Sequence, residues 1–133
     1  HPVGFCALGN ALPNAIGVKM ALPMTPVAVL VGDGGFMFSM PELLTAKEQN
    51  LSLPIIIWEN GGYKQIQDDM GVMKIDRVGV EGLNPDFIQL AKSCHCQAFY
   101  ADSEEVFMKA FKNALSTNSP TIILVKENDD WLN

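Results

Sequence analysis

Three short runs in this chain are apolar almost without interruption: Val27-Ala28-Val29-Leu30-Val31, Leu53-Pro54-Ile55-Ile56-Ile57-Trp58 and Thr121-Ile122-Ile123-Leu124-Val125. A strand with one wet face alternates apolar and polar residues. Continuous apolar runs belong to strands covered on both faces, as in parallel sheets flanked by helices. The segments between them carry helical patterns. Asn10 to Ala21 has Ala11, Ala15, Val18 and Leu22 at helical spacing, with Pro13 in the first turn and Pro23 as a stop. Pro41 to Gln49 reads as a helix with Leu43, Leu44 and Ala46 inward. Asn84-Pro85-Asp86 opens a helix through Ser93 that buries Phe87, Leu90 and Ala91. Asp102-Ser103-Glu104-Glu105 offers a capping box to a helix through Leu115, with Val106, Ala110, Phe111 and Ala114 inward. Gln97 to Tyr100 is a short strand, and residues 62–82 are the least regular part, with a helical start over 65–73. The expected fold class is α/β: a three-layer arrangement with a mainly parallel sheet, strands near 27–31, 54–58, 97–100 and 121–125, and helices on both faces.

At 133 residues the chain fits one domain, 1–133. It is 48% hydrophobic and 18% charged, which suits a packed core. A formal net charge of −6 argues against nucleic acid and anionic membranes as partners. No apolar run reaches the roughly 20 residues that span a bilayer. No basic leader precedes an apolar stretch, and the chain opens at His1 in mid-motif, so it reads as a fragment of a longer chain. Cys6, Cys94 and Cys96 form no disulfide framework. Cys94-His95-Cys96 is spaced too tightly for a zinc knuckle and has no second ligand pair; it reads as a helix end running into a strand, with packed thiols. Reduced thiols point to the cytoplasm.

Two of the strands end in polar, glycine-rich turns. Gly32-Asp33-Gly34-Gly35 follows the first, and Glu59-Asn60-Gly61-Gly62-Tyr63 follows the second. In open α/β sheets ligands sit at the carboxyl ends of strands. A hard cation carrying a diphosphate needs oxygen ligands and glycine N–H groups that approach phosphate closely. If the two strands are neighbours, Asp33 and Asn60 converge on one ion.

Gly32-Asp33-Gly34, then twenty-four residues, then Glu59-Asn60 resembles the motif of thiamine diphosphate-dependent 2-oxo acid enzymes, the acetolactate synthase and benzoylformate decarboxylase-like family. In that motif Gly-Asp-Gly is followed some 25 residues later by Asn-Asn. The stretch Ala7-Leu8-Gly9-Asn10-Ala11-Leu12-Pro13-Asn14-Ala15-Ile16-Gly17 is similar to the family's segment that packs on the cofactor, and the resemblance runs on through Gly82-Leu83-Asn84-Pro85-Asp86-Phe87 to the last strand. It implies the thiamine diphosphate-binding fold and the C-terminal, diphosphate-binding domain. It also implies a role for each matching residue. Asp33 and Asn60 would ligate Mg²⁺ through side chains and Gly62 through its carbonyl, with Gly32 opening the motif and the N–H groups of Gly34 and Gly35 on diphosphate oxygens. Leu8 would prop the cofactor into a bent form, with the backbone around Cys6 and Leu8 on the pyrimidine edge. Tyr63 and Gln65 would face cofactor or substrate, with Asp68 and Asp69 nearby. The cofactor does the chemistry, and the protein supplies conformation and electrostatics.

The resemblance places the activating glutamate in a missing pyrimidine-binding domain and the complete active site between subunits. The fragment alone is therefore expected to be inactive. The parent is expected to be a homodimer or homotetramer, with the face around Leu8, Phe36 and Tyr63 covered by a partner's pyrimidine domain. FAD, which would sit in a central domain, is left open. Two departures stand out: Glu59 replaces the first Asn of the usual pair, and Gly35 replaces a frequent Ser. Both 2-oxo acid decarboxylase (lyase) and acetolactate synthase (transferase) chemistry fit. The stretch Tyr63 to Met70 with Gly79-Val80-Glu81-Gly82 is closer to the decarboxylases. The other class of reading is a phosphate- or nucleotide-binding α/β module without chemistry, which leaves Asn60 and the Leu8 segment unexplained.

Overall fold

In the computed structural model, residues 7–132 are described. The apolar runs form a four-stranded, wholly parallel sheet: β1 (Val29–Gly32), β2 (Leu53–Glu59), β3 (Gln97–Tyr100) and β4 (Pro120–Lys126), in the order β1-β2-β4-β3. The helices are α1 (Ala11–Ala21), α2 (Asp33–Ser39), α3 (Glu42–Glu48), α4 (Lys64–Met73), α5 (Phe87–Ser93) and α6 (Glu104–Ser116), followed by a 3₁₀ turn over Asp130–Leu132. Alternate residues of β2 and β4 serve two cores. Ile55, Ile57, Ile122 and Leu124 face α1, α2, α3 and α5 through Leu12, Phe36, Leu43 and Phe87. Ile123 and Val125 face α6 through Ala110, with Ile56, Trp58, Phe107, Phe111 and Trp131 packed around them. That two-sided burial is why these strands are apolar throughout.

The strands and the helices α1, α3, α5 and α6 fall where the sequence places them, but several inward faces differ. In α1 the buried residues are Leu12, Ala15 and Ile16, while Val18 and Leu22 are exposed. The buried face is centred on Leu12 and Ile16, four residues apart, with Ala15 at its edge, so the inward stripe is rotated around the helix from the expected one. Leu44, expected inside, is exposed and only Leu43 and Ala46 are buried in α3. Asp86 caps α5, accepting from the N–H groups of Ile88 and Gln89, and Ser103 caps α6, accepting from Val106 N–H; with Val106 at the third helical position the cap is one-way rather than a capping box. The Cys94 and Cys96 thiols lie at the α5–β3 junction, where His95 takes a positive φ of 58°. Burial pushes the Cys96 thiol up to about 11, as suits a packed rather than a reactive sulfur.

A helix start near Gly34 and Gly35 is what the resemblance implies, but no pattern in the sequence sets its range over Asp33–Ser39. The glycine-rich stretch after β1 reads as a turn, yet the chain turns directly into a helix at Asp33. Phe36, one turn later, is fully buried and packs edge-to-face on Phe87 with centroids 5.8 Å apart. That anchor outweighs the weak helix propensity of two glycines. It also corrects the expectation that Phe36 lies on an exposed face. Phe38, 60% exposed and edge-on to Tyr63, occupies that surface instead.

Candidate functional site

β1 and β2 are hydrogen-bonded neighbours, with Gly32 opposite Trp58. Their carboxyl ends therefore lie side by side, and the two glycine-rich segments meet. A cleft of about 790 Å³ opens there, and every described candidate residue from Leu8 to Gln65 borders it. Cys6 lies outside the described residues. Asp68 and Asp69 do not join the cleft: Asp68 pairs with Lys64 at 2.6 Å on the exposed side of α4, and Asp69 accepts from Gln65.

Asp33 is the centre of the arrangement. It is fully buried, and all of its hydrogen-bond partners are donors. Oδ1 accepts from Gly34 N–H at 2.8 Å. Oδ2 accepts from the N–H groups of Asn60 (3.2 Å), Gly61 (2.8 Å) and Gly62 (3.0 Å), and from the Asn84 side-chain amide (2.7 Å). Burial by itself would raise the carboxyl's pKa. The Asn84 amide and the N–H groups of Gly62, Gly34 and Gly61 outweigh it and hold the group below the usual carboxylate range. Asp33 is thus an anion at neutral pH that ties the end of β1 to the turn after β2.

The turn itself depends on close backbone approach. Gly61 and Gly62 have φ of 86° and 112°, a region that L side chains avoid. Gly62 also pairs with Glu81 in an antiparallel bridge, and a Cβ on Gly62 would come within 2.9 Å of Gly82 N. The return strand is held from the other side by Val80 O, which accepts from Tyr63 N–H and from the buried Gln67 amide. The irregular stretch after the turn is therefore a helix, α4, folded back on its own exit. At the start of α2, a Cβ on Gly34 would meet the Tyr63 ring at 3.0 Å and Gly62 O at 3.2 Å. Glycine there lets the Gly62 carbonyl approach the helix start.

The Asp33 carboxylate, the Asn60 side chain and the Gly62 carbonyl border one cleft, and such oxygen ligands are the kind a hard cation such as Mg²⁺ accepts, with further ligands from phosphate and water. Gly34 N–H, one of the donors assigned to diphosphate, is turned toward Asp33 Oδ1. Gly35 borders the cleft with Leu8, whose Cδ1 would lie 3.6 Å from a Gly35 Cβ. Leu8 is 52% exposed beside this site. Among the described residues no group of three or more His, Cys, Asp and Glu could hold a metal ion, and no helix is long and apolar enough to cross a membrane.

The residue that the sequence reading missed is Asn84. The sequence places it in the family-like stretch at a helix start without a site role, and no local pattern links it to Asp33 51 positions away. The one available signal is the Asn-Pro pair: proline keeps the preceding residue out of the helix, so its side chain is available for another partner.

Comparison with known proteins bears directly on this site. The family model described as "Thiamine pyrophosphate enzyme, C-terminal TPP binding domain" matches residues 1–125. A "Probable 2-ketoarginine decarboxylase" of Pseudomonas aeruginosa is 44% identical over 97 residues, covering 72% of this chain and 17% of the relative. An "Acetolactate synthase" of Arthrospira platensis is 29% identical over 130 residues, covering 96% of this chain and 22% of the relative. The solved structure of a thiamine diphosphate-dependent 4-hydroxybenzoylformate decarboxylase from Rhodococcus jostii RHA1 superposes with a TM-score of 0.84 at 31% identity, over 92% of this chain and 24% of that one. The chain thus spans between 17% and 24% of the length of these proteins.

Proposed function

The chain belongs to the thiamine pyrophosphate enzyme family as its C-terminal TPP binding domain, and from that premise we propose that it is the Mg²⁺- and diphosphate-holding part of a longer 2-oxo acid decarboxylase. The observation that carries the cation reading is the convergence of Asp33, Asn60 and Gly62 at the adjoining ends of β1 and β2. Asp33 is a buried anion, Asn60 borders the same cleft, and the Gly62 carbonyl is drawn to the start of α2. These three would hold Mg²⁺, and Gly35 N–H would face the diphosphate. When bound, thiamine diphosphate supplies the electron sink for cleaving the bond next to the 2-oxo group. The chain's own residues would bind and orient it. Leu8 offers an apolar prop, and Tyr63 and Gln65 line the same cleft.

The decarboxylase branch is favoured over the synthase branch by the segment after the metal turn and by the higher identity to the 2-ketoarginine decarboxylase-named relative. We take the substrate to be a 2-oxo acid drawn into a site completed by a pyrimidine domain of a partner subunit, in a homodimeric or homotetrameric cytoplasmic parent. The chain by itself is then inactive. Short coverage of each relative supports reading it as one domain of a longer protein.

The test is calorimetric titration of the full-length protein with thiamine diphosphate, with and without Mg²⁺, and with ATP in parallel. Mg²⁺-dependent binding of thiamine diphosphate and none of ATP is expected. Asp33→Ala should remove the Mg²⁺ dependence while the protein stays folded. Undiminished cofactor affinity in that variant would sink the cation assignment, and ATP binding would favour a nucleotide module. Release of CO₂ from 5-guanidino-2-oxopentanoate, benzoylformate and pyruvate, compared side by side, then separates the substrates.

A further inference from the structure

Asn84 carries one amide nitrogen between two carboxylates. Its Nδ2 lies 2.7 Å from Asp33 Oδ2 and 3.3 Å from Glu59 Oε1. A primary amide has two N–H hydrogens, so a single side chain can serve both acceptors. We propose that Asn84 is a positioning residue of the cation site, which turns the Asp33 carboxylate to present Oδ1 and holds the Glu59 carboxylate away from the bound ion. This rests on reading Asp33 as a cation ligand.

The argument begins with the two oxygens of Asp33. An ionised carboxylate has about four lone-pair directions over two oxygens. Oδ2 already accepts from four donors, the N–H groups of Asn60, Gly61 and Gly62 and the Asn84 amide. Oδ1 accepts from Gly34 N–H alone. The carboxylate is therefore asymmetric: Oδ2 is saturated by the protein, and Oδ1 keeps capacity for a cation. Three of the Oδ2 donors come from the backbone of one turn. Asn84 is the donor that reaches in from a different segment, so its removal takes away the one hold on Oδ2 that is independent of the turn.

Glu59 ends β2, next to Asn60, and brings a second negative charge within reach of the same amide, although it lines a neighbouring cleft with Lys126 rather than the one that Asp33 and Asn60 border. Two carboxylates this close repel, and each would compete for a nearby cation. The Asn84 amide is neutral and donates to both, so it satisfies them without adding charge. Its own position is fixed from behind. Pro85 disfavours helical backbone at Asn84, Asp86 caps α5, and Phe87 packs on Phe36 of α2, three residues beyond Asp33. The starts of α2 and α5 are thereby joined through the core, and Asn84 bridges their polar ends.

The experiment is a Mg²⁺ titration of the full-length protein at fixed thiamine diphosphate, followed by calorimetry, together with thermal melts of the cofactor-free form. Asn84→Ala should weaken apparent Mg²⁺ affinity about 10-fold, within the range usual for partners that orient a metal ligand, with little change in the cofactor-free melt. In a Glu59→Gln background the same substitution should weaken it less, because the neutral side chain no longer needs to be held off and only the hold on Asp33 is lost. Asn84→Ser, with a shorter side chain and one hydrogen, should behave like Asn84→Ala and carries the test if the alanine variant does not fold. Unchanged Mg²⁺ affinity in the folded variants would overturn the proposal. So would an equal loss with and without Glu59→Gln, or failure of both variants to fold, which would make Asn84 a purely structural residue. Asp33→Ala run in parallel separates the two readings: if it binds Mg²⁺ and cofactor normally, the cation site itself is misplaced; if only it loses them, Asp33 stands and the role of Asn84 falls.

Discussion

At the scale of single residues, the site is built from backbone that glycine alone can supply. Gly62 shows this best, because two separate constraints meet there. Its φ is 112°, and a Cβ would press on Gly82 N at 2.9 Å and Val80 O at 3.0 Å, both backbone atoms that cannot swing aside. Gly79 has a positive φ of 69° but open space around it. Gly79→Ala should therefore show the conformational penalty alone, of order 1 kcal/mol. Gly62→Ala should cost more, about 2–3 kcal/mol or above, and should also weaken Mg²⁺-dependent cofactor binding. Thermal or urea melts of the two variants provide the comparison. Equal losses would mean that the contact with the 80–82 segment is not what requires glycine. Asp33 makes the complementary point. Its identity and its place after β1 were legible as a motif, but its five donors were not, since four of them come from residues 60–84.

At the scale of elements, the segment from Gly61 to Gly82 divides into parts of unequal stability. α4 is pinned by Gln67, which is buried and donates to Val80 O at 2.9 Å. Beyond α4, residues 76–79 have no regular structure, and Ile75 and Val78 are exposed. Arg77 Nε donating to Gln67 O at 3.2 Å ties this stretch back to the helix. Local opening is easiest where few apolar groups are buried. In the cofactor-free protein, amide exchange should be fastest over 76–79 and slower in α4, with β2 and β4 slowest. Protection of 76–79 equal to that of β2 would show that this stretch is structured independently of cofactor or partner. The sequence suggested a helical start here and little else, because the tie that organises the region is a side chain bonded to a backbone carbonyl thirteen residues on.

At the scale of the whole molecule, coverage is uneven. On one face α1, α2, α3 and α5 bury the sheet; on the other, α6 packs on β2, β3 and β4. Leu30, on β1, is left 69% exposed, and Leu8 and Phe38 add apolar surface near the cleft. Within the described sheet β1 is also an edge strand, bonded to β2 alone. Such edges and patches promote association. The 133-residue chain by itself should sediment as dimers or larger species at high concentration, and Leu30→Lys should shift it toward monomer. A clean monomer for the unsubstituted chain would show that this face is stable in water. What the sequence determined alone is the α/β class, the strands and their burial on both sides, the caps at Asp86 and Ser103, and the two glycine-rich ends that carry Asp33 and Asn60. These follow from short-range rules: continuous apolar runs, helical spacing, and side chains bonded to backbone two or three residues away. The tertiary structure decided which helix faces are buried, that α2 starts at Asp33, and that Phe36 turns inward. It also brought Asn84 to the carboxylates of Asp33 and Glu59. Each of these depends on contacts between residues far apart in the chain, where packing volume and the pairing of buried charge override local preference.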